Sequence, residues 1–159
     1  MEQSIEYRLS RLEAVEDVKA LKMKYARLCD VGYPADAISE LFVEDGVWDG
    51  GDSFGRYEGR RRIRRFFEVT PTIAVWAKHY TVCGDITVSD DLLNATGLWY
   101  LWQPMTMPVD GENAAVFLIA DYVDHYVKDP QRGWMFTSVK INVQAVTPID
   151  QGWVKRPSI

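Results

Sequence analysis

The first part of the chain carries apolar residues at helical spacing. Between residues 5 and 28 they recur every three or four positions, and charged residues fill the other side. This period predicts one long amphipathic helix, which Gly32 and Pro34 bring to an end. The apolar positions of this helix are Ile5, Leu9, Leu12, Val15, Val18, Leu21, Tyr25 and Leu28.

Two shorter helices and a brief strand follow. Residues 35–42 predict a second helix that begins just after Pro34 and carries its apolar residues on one side. Residues 47–51 predict a short strand that leads into a glycine turn. Residues 60–69 predict a third helix, which we expect to stop near Pro71.

In the second half of the chain the pattern changes to that of strands. Residues 80–88, 92–103, 114–128 and 134–147 are rich in Val, Ile, Thr and aromatic residues. The second and third of these strands are apolar on both faces, so both faces have to be covered. Helices can cover one face, and a second subunit can cover the other. Helices followed by meandering strands indicate an α+β fold rather than alternating α/β units.

Length and composition fit one globular domain over residues 1–159. The aromatic share of 13%, with six Trp and eight Tyr, is higher than a core alone requires. Flat, rigid side chains suit a cavity for an apolar molecule, but they also suit an aromatic core or a subunit interface. Composition leaves both interpretations open.

The net charge, the N-terminal sequence and the cysteines indicate the class of partner and the cellular compartment. The net charge of −5 disfavours a nucleic-acid partner, which would call for a basic surplus. The first six residues are acidic and lack the apolar run of a signal peptide, and no stretch is long enough to span a membrane. Cys29 and Cys83 lack metal-type spacing, and we expect both to be reduced core residues of a cytoplasmic protein.

Few residues remain that can carry chemistry. The only histidines are His79 and His125, and no cluster of metal-ligand spacing, dinucleotide fingerprint, P-loop or nucleophile elbow occurs. We therefore expect neither a metal nor a cofactor. Tyr25, Asp30 and His79 are titratable groups in apolar surroundings. Each also has a structural explanation: core for Tyr25, a turn cap for Asp30, and core or surface for His79. For His125, the outer face or a subunit contact is expected.

Six segments resemble SnoaL-like proteins in their order and spacing, and together they cover nearly the whole chain. The segments are 24–30, 44–48, 55–67, 79–86, 94–100 and 122–126 with Trp134. The family includes scytalone dehydratase, bile acid 7α-dehydratase and hexachlorocyclohexane dehydrochlorinase. The resemblance implies the cone-shaped, cystatin-like fold of nuclear transport factor 2 (NTF2). In this fold N-terminal helices pack on a curved, mixed, mostly antiparallel sheet.

The resemblance also implies roles for three residues. In the lyases of this family an aspartate at the end of helix one pairs with a histidine of the first long strand. Asp30 and His79 match these positions, so His79 is expected to act as general base, oriented by Asp30. Tyr25 matches a tyrosine that can hydrogen-bond the departing hydroxyl.

Strand parity predicts the lining of an apolar pocket. If Trp99 points inward, so do Leu101 and Gln103, because side chains alternate between the faces of a strand. A one-residue error in register would invert this assignment. The resemblance adds positions on the other strands, and these are Trp48, Leu118, Tyr122, Val139, Ile141 and Val143. Such a lining suits a hydrophobic ring compound with few polar groups.

Three positions depart from the known enzymes. Gln103 stands where the bile acid enzyme has a second aspartate. Val139 and Val143 stand where the bile acid enzyme and the dehydrochlorinase carry arginines on the last strand. The dyad is retained, whereas the groups that recognise those particular substrates are not.

We therefore expect a cofactor-independent dehydratase that acts on a hydrophobic, ring-containing hydroxy compound. A polyketide cyclase or ketosteroid-type isomerase with the same dyad is the second possibility, and a non-catalytic binding or structural subunit is the third. The two-sided apolar strands, together with the resemblance to trimeric dehydratases, predict a homo-oligomer, either a trimer or a dimer.

Overall fold

Helices on one side of a sheet make up the architecture, so the predicted α+β class is confirmed. The computed structural model describes residues 3–153, apart from the side chain of Cys83, and the prediction for that thiol lies outside the described part. The helices are α1 (Ile5–Asp30), α2 (Ala35–Ser39), α3 (Gly51–Phe54) and α4 (Arg60–Ile73). None of these described helices combines the length and the apolar character needed to cross a membrane.

Within the described residues, seven strands form one curved sheet. The order across it is β2-β1-β7-β6-β5-β3, and β4 pairs with the same strand, β5, as β3 does. Strands β1 and β7 run parallel, whereas the other pairs are antiparallel. The strands are β1 (Phe42–Asp49), β2 (Arg56–Glu58), β3 (Trp76–Ala77), β4 (Tyr80–Val88), β5 (Asn94–Val109), β6 (Glu112–Asp129) and β7 (Gly133–Pro148).

Helix α1 matches its predicted length. The Ser4 hydroxyl accepts the Tyr7 N–H at 3.2 Å, which is a typical N-cap. Only the second half of the apolar stripe packs on the sheet. Its first three positions, Ile5, Leu9 and Leu12, are exposed.

The predicted bounds of several shorter elements were wrong. The second helix ends at Ser39 instead of residue 42, because the buried Phe42 already pairs with β7. Strand β1 accordingly begins earlier than predicted and ends at Asp49. Helix α4 continues past Pro71 to Ile73, and the Ala74 N–H still donates to the Thr70 carbonyl at 2.8 Å.

The predicted inward face of the sheet is correct. The inward positions of β5, β6 and β7 are buried, whereas Leu98, Tyr100 and Trp102 on the other face of β5 are exposed. Val143 is an exception, since it is only half-buried. The pairing of β6 with β7 shifts beside Val143, and this bulge changes the alternation of faces there.

Candidate functional site

The structure brings Asp30 and His79 together at the junction of helix and sheet. Asp30 is the last residue of α1, and His79 lies between β3 and β4. His79 Nδ1 lies 2.9 Å from Asp30 Oδ1, and the backbone N–H of His79 donates to the same oxygen at 2.8 Å. Lys78 Nζ lies 3.5 Å from the other carboxylate oxygen. The imidazole is 6% exposed and the carboxylate 17% exposed.

Electrostatics favours a neutral imidazole beside an ionised carboxylate. Burial is the largest influence on the pKa of His79 and lowers it below its ordinary value, although Asp30 acts in the opposite direction. Burial alone would raise the pKa of Asp30, but the hydrogen bonds from His79 outweigh it, and the net pKa is lowered. Because Asp30 accepts at Nδ1, that nitrogen carries the hydrogen, and Nε2 keeps a free lone pair.

His79 lines a cavity between α1, α4 and the sheet. The free volume is about 50 Å³, and apolar and aromatic side chains form most of the wall. The cavity is small beside a drug-sized ligand site, which measures roughly 300–1,000 Å³. The free space is therefore no larger than the room needed by a few water molecules, since each requires about 10–15 Å³.

Seven of the residues predicted for the site line this cavity. Asp30 does not line the cavity. Its link to the cavity is indirect, through its hydrogen bond to His79. The seven lining residues are Tyr25, Trp48, His79, Gln103, Leu118, Tyr122 and Ile141.

Four residues predicted to bind substrate do not line the cavity: Trp99, Leu101, Val139 and Val143. The first three point inward as expected but are covered by other core side chains. The Trp99 indole, for example, lies so close over Gly84 that a Cβ there would clash with it, and its N–H donates to the Tyr126 hydroxyl at 3.3 Å. The cavity thus occupies only one end of the inward face.

Sequence reasoning missed the contribution of helix α4. Phe66, Phe67 and Thr70 all line the cavity, as do Cys29 near the end of α1 and Tyr33 just after it. The signal was available, because positions 63, 66, 67 and 70 repeat at the spacing of one helical face. That pattern predicts a buried helix face, but it does not predict which part of the molecule packs against it.

Tyr25 is held in place by a hydrogen bond from another predicted residue. Its hydroxyl accepts the indole N–H of Trp48 at 2.9 Å. Burial raises the pKa of Tyr25 well above its ordinary value, so the hydroxyl stays protonated. The hydroxyl keeps its proton and can donate it, and Cys29 and Tyr122 lie close enough to compete with a bound oxygen for that hydrogen.

His79 and Tyr25 therefore border one apolar cavity. A neutral imidazole with Nε2 free can take up a proton, and a nearby hydroxyl can donate a hydrogen bond. Water-poor surroundings strengthen both interactions, because the local dielectric constant is low.

Solved structures share this architecture. One is the hexachlorocyclohexane dehydrochlorinase LinA-type3 of Novosphingobium barchaimii, with a TM-score of 0.77 and 18% identity over 91% of this chain and 95% of that one. A candidate scytalone dehydratase of Novosphingobium aromaticivorans reaches a TM-score of 0.72 and 20% identity, covering 91% of each chain. An NTF2-like protein with a cystatin-like fold from the latter organism reaches 0.67 and 23%, over 86% and 85% of the two chains.

At these identities the structures show the fold alone, which is the NTF2-like, cystatin-like fold predicted from the sequence. No curated protein matches the chain. The model of the SnoaL-like domain family, in contrast, matches residues 10–140. This match spans most of the 159 residues, including the end of α1 and every strand as far as β7. The chain therefore belongs to the SnoaL-like family.

Proposed function

We propose that this protein is a cofactor-independent lyase, a dehydratase that acts on a hydrophobic, ring-containing hydroxy compound. The observation that carries the proposal is the 2.9 Å contact between His79 Nδ1 and Asp30 Oδ1, beside an apolar cavity that His79 lines. A base oriented in this way removes a proton without a metal or a cofactor.

The elimination needs no other reactant. His79 Nε2 takes the proton from a carbon next to the one that bears the hydroxyl, and the C–H electron pair forms the new double bond. The C–O bond breaks, and Tyr25 donates a hydrogen bond to the departing oxygen. The imidazolium, stabilised by Asp30, returns its proton to that oxygen, so the products are an alkene and water.

The size of the cavity sets a condition on binding. An engineered apolar cavity of about 150 Å³ binds benzene, whereas the free volume here is about 50 Å³. A ring-sized substrate therefore has to displace side chains of the wall. Phe54 on the four-residue helix α3 and Ile73 at the end of α4 line the cavity and are both partly exposed.

The test compares the two histidines of the chain. Purified protein is incubated with hydroxylated alicyclic and aromatic ring compounds, and mass spectrometry follows the loss of one water. We expect His79→Ala to lower kcat/KM about 10²–10⁴-fold, the range that general-base catalysis contributes. His125→Ala is the matched control, because His125 is exposed on the outer face.

Turnover that survives His79→Ala unchanged would remove the base, and with it the proposal. Retention of ligand binding by a protein with no turnover would favour the binding-module alternative. A substrate that rearranges without losing water, with the same dependence on His79, would favour an isomerase or cyclase.

A further inference from the structure

A buried amide lies on the cavity side of β5. Gln103 is 4% exposed, lines the cavity, and lies opposite Leu118 of β6 on the inward face of the sheet. Among the residues that the structure describes, the hydrogen-bond partner of this amide is the sulfur of Met105, 3.5 Å from Nε2. A thioether is a weak acceptor, and Nε2 carries two hydrogens, so donor capacity remains.

Strand register places this amide beside the imidazole. The residue before His79 donates its backbone N–H to the Pro104 carbonyl at 3.1 Å, and the residue after it, Tyr80, lies opposite Trp102. His79 is therefore opposite Gln103. Directly opposed residues of antiparallel strands have Cβ atoms about 4.5–5.5 Å apart on the same face. Both side chains line the cavity, so base and amide share one wall of it.

Chemistry indicates what such a pair recognises. An imidazole is a moderate base and removes a carbon-bound proton readily only where a neighbouring group stabilises the resulting charge. A carbonyl next to the carbon does this, because the negative charge moves to its oxygen. A hydrogen-bond donor aimed at that oxygen stabilises the charge as it develops.

We propose that Gln103 donates a hydrogen bond to a substrate carbonyl adjacent to the carbon that His79 deprotonates, which makes the substrate a β-hydroxy carbonyl compound. This inference rests on the proposed role of His79. The proton moves to Nε2, the C–H electrons form the enolate double bond, and the carbonyl π electrons move to the oxygen that Gln103 holds. The enolate then expels the β-hydroxyl, which leaves as water with the proton from His79.

Two measurements with cyclohexanone, which has no leaving group, isolate the first half of this sequence. Infrared difference spectroscopy measures the carbonyl stretch of the bound ketone, and NMR measures exchange of its α-hydrogens with deuterated water. We expect binding to lower the stretching frequency and the protein to catalyse exchange. Gln103→Met, of similar length but without the amide, should abolish the frequency shift and slow exchange about 10²-fold.

The control is Gln144→Met, since Gln144 is an exposed glutamine of β7 whose amide donates to Asp121. It should change neither measurement. Gln103→Leu provides a second variant should the methionine variant not fold, and thermal unfolding checks both.

The readouts separate this inference from the proposed function. His79→Ala should lose exchange yet keep the infrared shift, and unchanged exchange in that variant would count against His79 alone. An infrared shift that persists without the Gln103 amide would overturn the role of Gln103. So would a wild-type protein that binds no ketone or shows no shift.

Discussion

At the scale of the residue, the pH dependence of activity depends on His79. The pKa of this imidazole is lowered from its ordinary value, mainly by burial, and the proposed mechanism uses its neutral form. We expect kcat/KM to be level through neutral pH and to fall as the pH drops through the folded-state pKa, which lies below about 6.5.

The pH profile of kcat/KM also tests the role of the Asp30 carboxylate. Asp30 raises the pKa of His79 against the effect of burial, so Asp30→Asn should move the acid limb to lower pH. The plateau should also fall by about 10²–10⁴-fold, because the imidazole loses its orientation and its counter-charge. An acid limb that moves to higher pH, or does not move, would contradict this account of the pair.

Strand parity predicts which face of the sheet a side chain occupies, and this limits which site residues the sequence could identify. Alternation along β5 correctly placed Gln103 and Trp99 on the inward face. Parity does not report depth, and so it could not show that the indole of Trp99 packs over Gly84 while Gln103 reaches the cavity. Depth is decided by side chains from other elements, which one strand's pattern does not contain.

At the scale of the element, a buried ion pair fastens α1 to β6. Lys22 Nζ lies 2.7 Å from Asp124 Oδ2, and neither side chain is exposed. The Tyr126 hydroxyl donates to the same carboxylate oxygen at 3.0 Å, and Nζ lies 3.3 Å from the centre of the Tyr122 ring. Removal of either charge leaves the other buried without compensation.

We expect Lys22→Met and Asp124→Leu each to lower the free energy of unfolding by about 3–5 kcal/mol, measured by urea denaturation. The double variant should lose much less than the sum of the two, because no uncompensated charge remains. Lys19→Met is the control, since Lys19 forms an exposed pair with Glu16 worth at most about 1 kcal/mol. Additive losses in the double variant would show that the two charges do not act as a pair.

This pair also shows a limit of pattern reasoning on helices. Periodicity correctly predicted where α1 begins and ends, but it assigned all charged positions to the solvent side. Lys22 is fully buried because its partner, Asp124, lies about a hundred residues further along the chain and is buried with it. A contact between distant residues leaves no local periodicity, so it could not be found from either segment.

At the scale of the whole molecule, the outer face of β4 and β5 remains apolar. Tyr80, Val82, Leu98, Tyr100 and Trp102 are each between 38% and 59% exposed. Strand pairing makes these residues neighbours, and contiguous apolar patches of this kind mark interaction surfaces. The two-sided apolar pattern predicted from the sequence is therefore present, and within residues 3–153 these five side chains remain partly exposed on one side.

We propose that a second copy of the chain covers this face. Sedimentation velocity should show an oligomer for the wild type, and Tyr100→Glu, at the centre of the patch, should shift it toward the monomer. Val69→Glu, at an exposed apolar position of α4, should leave the mass unchanged. A monomeric wild type, or an oligomer indifferent to Tyr100→Glu, would contradict the proposal.

The sequence predicted the long elements of the fold better than it predicted the points where short elements meet. Long strands such as β5 and β6 carry many residues of one pattern, whereas α2 and β1 meet within three residues at Phe42, where pairing with β7 decided the conformation. Elements of this length have too few positions for a period to be distinct, and tertiary contacts determine where they end.

One oxygen atom accepts two hydrogen bonds, and this affects which variant suits the crystallisation of a ligand complex. Asp30 Oδ1 accepts both the ring and the backbone N–H of His79, so it ties the end of α1 to the segment that leads into β4. Truncating the carboxylate would loosen that tie along with the chemistry, whereas replacing the imidazole keeps the main-chain half of it. An inert protein for trapping substrate in crystals is therefore better made at position 79 than at position 30.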